Sequence, residues 1–154
     1  MKRTALLALL LAVAGSSTAA EADKAVGRQL EKLGFNFEVD EDGDYRMVFD
    51  LDNDRTQLVY VRSAVEEFGS HAVREVWSPG YTSATDALPV TVANRLLEDA
   101  QDAKLGGWVK QQRTAMFVVK VDAKASADQL NDAIDAATRT ADAMELELTG
   151  KDEL

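Results

Sequence analysis

The chain has 154 residues, 27 of them acidic and 17 basic, for a net charge of -10, with no cysteine and a single histidine. That length suits one domain, and the charge argues against nucleic-acid phosphates and anionic membrane surfaces, both of which need clustered Lys and Arg. Without thiols there are no disulfide staples, no lipid attached at a cysteine and no thiol catalysis, and with His71 alone there is no multi-histidine metal site.

Residues 1–22 read as a secretory signal. Lys2 and Arg3 supply the positive start, residues 5–14 are an unbroken run of Ala, Leu and Val, and small residues follow as peptidase sites. The apolar run is well short of the roughly 20 residues that span a bilayer. A periplasmic or secreted protein with no membrane anchor is therefore expected, at a net charge of -11 or -12 depending on the cleavage site. Residues 23–150 are expected to form one α+β domain, with 151–154 a short tail. That tail, Lys151-Asp152-Glu153-Leu154, matches the retention signal of the endoplasmic reticulum, whose lumen is the alternative location.

In chain order, Val26, Leu30 and Leu33 recur at helical spacing and Gly34 stands at the capping position, which predicts a short helix over residues 23–33. Gly27 inside it costs roughly 1 kcal/mol relative to Ala, so this helix depends on docking. Phe35, Phe37 and Val39 alternate with polar residues, Asp42-Gly43 turns the chain, and Tyr45, Met47, Phe49 and Leu51 alternate again, predicting a hairpin. Leu58-Val59-Tyr60-Val61 is apolar on both faces, as in a strand inside a sheet. Residues 64–69 read as a loop or single turn, residues 73–77 as a strand, and Ser78-Pro79-Gly80-Tyr81 as the turn ending it.

Pro89 begins a helix whose stripe is Val92, Ala93, Leu96, Leu97, Ala100 and Ala103, stopped by Gly106-Gly107. Residues 108–111 and 115–121 form a second hairpin turning near Gln112-Arg113. Ser126-Ala127-Asp128-Gln129 is a capping box, and Leu130, Ile134, Ala137, Ala141, Met144 and Leu148 make the seam of a long last helix closed by Gly150. Its Ala-rich middle permits close approach to the sheet or to a second copy of itself. The pattern predicts an α+β fold: an antiparallel meander and a second hairpin packed by three helices, in the order α-β-β-β(-β)-α-β-β-α.

This order resembles the YbjN-like bacterial proteins, a family similar in fold to the type III secretion chaperones. The resemblance rests on Asp44-Tyr45-Arg46, Gln57-Leu58-Val59-Tyr60-Val61, Arg74-Glu75-Val76-Trp77-Ser78-Pro79-Gly80-Tyr81 and Ala93-Asn94-Arg95-Leu96-Leu97-Glu98-Asp99. It implies a non-enzymatic protein without a cofactor that binds another polypeptide, often as a dimer. It also favours a bacterial source, where the C-terminal four residues have no receptor. The leader departs from the cytoplasmic chaperones.

Three groups carry candidate chemistry. Asp50, Asp52 and Asp54 have the alternating oxygens that open a calcium loop, but Arg55 stands where that loop needs Gly and Val61 where it needs Glu. His71 could serve a hydrolase with Ser70, Ser78 or Ser83, although no nucleophile elbow is present. Trp77 and Tyr81, flanking Ser78 and Pro79, are amphipathic aromatics on one turn and the expected partner-binding residues; the alternative is that Trp77 packs under the following loop.

Overall fold

A computed structural model describes residues 21–154, so the expected leader lies outside the described residues up to residue 20. Helix α1 (Lys24–Leu33) begins where the Asp23 side chain accepts from the Ala25 N–H, and it ends on left-handed Gly34. Its Val26 and Leu30 are buried. Gly27 lies where Tyr45 approaches. A Cβ there would stand 2.7 Å from the Tyr45 hydroxyl oxygen, which donates to the Asp23 carbonyl at 2.9 Å. The glycine that weakens the helix is thus required by its docking.

The strands are β1 (Glu38–Val39), β2 (Tyr45–Asp50), β3 (Thr56–Val61), β4 (Glu66–Phe68), β5 (His71–Thr82), β6 (Gly107–Gln111) and β7 (Thr114–Asp122). They form one antiparallel sheet in the order β1-β2-β3-β5-β7-β6, and β4 pairs with the start of β5. The expected α+β class and antiparallel pairing are observed. Helix α2 (Val90–Asp102) precedes the β6–β7 hairpin, and α3 (Ala127–Thr149) follows it.

Four local expectations need correction. Phe35 and Phe37 precede β1 instead of belonging to it, and their rings pack edge-on against Phe49 and Tyr45, with centroids 5.2 and 5.0 Å apart. Residues 64–69 hold β4, because Gly69 at φ 59° lets the chain fold back onto β5. Residues 78–81 do not turn but continue β5. Pro79 is tolerated because the β3–β5 ladder runs only through Tyr60 and Val61, and a bulge follows between Pro79 and Tyr81. Buried Gln57 compensates by donating to the Ser78 hydroxyl at 2.8 Å and to the Pro79 carbonyl at 2.7 Å. On α2, Leu96 is buried but Leu97 is 67% exposed, since only one side of this helix meets β6 and α3.

All three helices lie on one face of the sheet. Helix α3 has the full capping box between Ser126 and Gln129, and it buries Leu130, Ala133, Ile134, Ala137 and Ala141 against Val59, Val61, Val76, Phe117 and Val119. Each such Leu, Ile, Val or Phe removed from water contributes roughly 1.5–3 kcal/mol. The α3 seam is thus occupied by the sheet. A smaller cluster of Leu96, Ala115 and Met144 joins α2 to α3, and Tyr81 packs against it. None of the described helices is long and apolar enough to cross a membrane.

Candidate functional site

None of the described helices lies over the opposite face of the sheet, yet its strands place apolar side chains there. In one row across the sheet Arg46 pairs with Tyr60, Tyr60 with Trp77, and Trp77 with Val118. In the next, Val48 pairs with Leu58, and Pro79 pairs with Met116, which pairs with Val109. Directly paired residues share a face, and alternate residues along a strand return to it. The result is a groove of about 510 Å³ with Leu58, Tyr60, Trp77, Pro79 and Met116 along it. The acidic turn of Asp40, Asp42 and Asp44 borders it, and Leu154 also reaches it.

The three cations that the strands set on this face, Arg46, Arg62 and Lys120, each have a partner. The Arg62 guanidinium lies 5.4 Å from the Trp77 ring centroid and 2.5 Å from Asp44. Trp77 Nε1 donates to Glu75 at 2.8 Å, and Lys120 pairs with the same carboxylate at 3.1 Å. Arg46 pairs with Glu38 at 3.4 Å. Trp77 is held in orientation and is half-buried.

No protein-family model matches this chain, and no curated protein does.

The four expected partner-binding residues are split between the two faces. Trp77 and Pro79 line the groove. Tyr81, four residues after Trp77, would share its face in an unbroken strand, but the extra residue at Gly80 moves it to the helix side, opposite Ala115. The Ser78 hydroxyl is buried between Gln57 and the Leu58 carbonyl, to which it donates at 2.7 Å. The alternative that Trp77 tucks under a following loop does not occur. Leu58, Tyr60 and Met116 are groove residues that the sequence reading did not single out. Residues 58–61 are apolar on both faces, which marks a strand inside the sheet without saying which of its faces stays open.

The acidic turns are structural. Asp50 ends β2, and Asp52–Asp54 form a single 3-10 turn with Asn53 and Asp54 at φ 62° and 58°. They do not converge. Among the described residues the carboxylates whose oxygens lie within 4.8 Å of one another are Asp142, Glu145 and Asp152. Arg55 is the cation there: its Nε donates to Asp142 at 2.6 Å and its Nη2 to Glu145 at 3.1 Å. The same cluster clasps the C-terminal residues. Arg55 Nη1 donates to the Lys151 carbonyl at 2.7 Å, the Thr56 N–H to Asp152 at 3.1 Å and the Glu153 N–H to Glu145 at 2.7 Å.

Burial pushes the Glu145 carboxyl above its ordinary 4.5, against the opposing pull of the Glu153 N–H and Arg55. Burial would raise Asp23 too, but the Ala25 N–H and the Arg74 guanidinium outweigh it and hold that carboxyl below its ordinary 3.8. His71 is exposed at the head of β5, opposite Phe68. Ser78 lies seven residues further along the same strand, roughly 20 Å or more away at about 3.3 Å per residue. The Ser78 and Ser83 hydroxyls donate to the Leu58 and Ala87 carbonyls, so neither offers its proton to His71 as a nucleophile would to its general base.

Proposed function

We propose that this protein is a non-enzymatic, exported polypeptide-binding module of the YbjN-like kind, acting from the open face of its sheet. The observation that carries this reading is the groove of Leu58, Tyr60, Trp77, Pro79 and Met116 on a face that none of the described helices covers. Antiparallel sheets with one solvated face normally alternate apolar inward with polar outward, so apolar residues on the outward side mark an interaction surface. The oriented Trp77 ring is its anchor. A periplasmic or extracellular setting follows from the leader. The luminal alternative is disfavoured because a receptor-read tail has to be free, whereas Lys151, Asp152 and Glu153 are bonded to the domain.

The test is native mass spectrometry of protein captured gently from a periplasmic extract, compared with a Trp77→Ala variant. The wild type should carry one defined polypeptide in fixed ratio. Loss of a central aromatic anchor costs about 2 kcal/mol or more, so the variant should emerge bare. A folded Trp77→Ala protein that still carries the partner would remove this face from the binding surface.

A further inference from the structure

The charges round the groove say what kind of segment it takes. The strands and the hairpin of β4 and β5 set Asp50, Glu66 and Asp122 on the open face, and the turn before β2 adds Asp40 and Asp42. Among the described residues none of these five carboxylates takes part in an ion pair. The basic side chains that the strands place there, Arg46, Arg62 and Lys120, are each paired within the face, with Glu38, Asp44 and Glu75. The site therefore presents an apolar floor, with Leu58, Tyr60 and Trp77 half-buried and Pro79 and Met116 buried beneath, beside carboxylates that no ion pair neutralises.

From this geometry, and resting on the binding reading above, we infer that the occupant of the groove is a polypeptide segment with an apolar centre flanked by lysine or arginine. A second copy of this chain is the poorer match. Face-to-face pairing would set one acidic rim against another, and like charges juxtaposed across an interface oppose association. Nor does the whole molecule, at a net charge of -10, favour self-association. An apolar segment flanked by cations gains on both counts: Leu58, Tyr60, Trp77 and Met116 receive the centre, and the rim receives the flanks. Such a rim also speeds encounter, and that contribution is screened by salt.

The test uses purified protein and two synthetic peptides with the same apolar centre, one flanked by lysines and the other by glutamates, each carrying a fluorophore whose anisotropy reports binding to the wild type and to Trp77→Ala alike. The lysine peptide should bind at least about tenfold more tightly, with an advantage that shrinks as salt rises from ~0.05 to ~0.5 M. The variant carrying Asp42→Asn, Asp50→Asn and Glu66→Gln removes charge from exposed positions whose side chains make no bond in the fold, and it should bring the two peptides to within about threefold of each other. Equal binding of both peptides to the wild type, lost on Trp77→Ala, would keep the face as a binding site and overturn the charge proposal. Binding of neither peptide, or binding unchanged by Trp77→Ala, would overturn the face as well. A concentration-dependent dimer abolished by Trp77→Ala would make the second copy the occupant and overturn the proposal outright.

Discussion

Glu145 is a carboxylate on the buried side of a helix, with none of its surface exposed, and it stays there because Arg55 and the Glu153 N–H face it. Removing one partner of such a pair strands the other, and this makes the cluster a point of specificity more than of stability. Its titration has a definite sign. Because the folded-state pKa lies above the ordinary 4.5, the folded chain holds the proton that the unfolded chain releases, so stability declines as pH rises through that window and is flat above it. Asp23 behaves oppositely: its contribution is present above 3.8 and is lost as pH falls through the lowered value. Urea unfolding as a function of pH should therefore show a decline beginning above about 4.5 that Glu145→Gln flattens. An identical pH profile in the variant would mean that Glu145 is as well solvated folded as unfolded. Neither the Arg55 cluster nor the Asp23–Arg74 pair was legible in sequence. Arg55 and Glu145 are 90 residues apart, and only packing of α3 on the sheet brings them together.

At the scale of elements, β5 decides the layout. It runs through Ser78-Pro79-Gly80-Tyr81, a string that reads locally as a turn, because its partner β7 holds it extended and a bulge absorbs the Pro-Gly pair. Gly80 is required by what lies over it: a Cβ would stand 2.5 Å from the Trp108 ring, which is itself fixed by donation from Nε1 to Asp99 at 2.8 Å. Gly80→Ala should then destabilise the domain by about 1–3 kcal/mol, read as a lowered urea midpoint. An unchanged midpoint would show that Trp108 has room to retreat. The last helix, by contrast, was legible from its own residues. Ser126, Gln129 and Gly150 are local signals, and the cap bonds they predict are those observed. The stripe of α2 was legible only in part, since Leu97 has the right spacing but no neighbour to pack against.

For the whole molecule, one sheet with one covered face implies one cooperative unit. Trp77 and Trp108 lie on opposite sides of that sheet, on strands joined through β7. Single-tryptophan variants, each with the other residue replaced by Phe, should therefore unfold with coincident midpoints and a single transition. Separate midpoints would mean that the β6–β7 hairpin and the meander melt independently. The same layout explains why the binding face was only half legible. Trp77 could be named because an aromatic beside Pro-Gly stands out. Tyr60 and Met116 could not, because an apolar residue on a strand gives no sign of which face its helices will leave bare.

By itself the sequence determined the α+β class, the antiparallel pairing, the C-terminal cap of the first helix and both caps of the last, because these rest on periodicity and on residues within a few positions of one another. Only the tertiary structure decided that all three helices gather on one side of the sheet. It alone turned Tyr81 away from Trp77 and enclosed Arg55 among three carboxylates. Those outcomes depend on contacts between segments far apart in the chain, and no local pattern can encode which of two apolar faces will be covered.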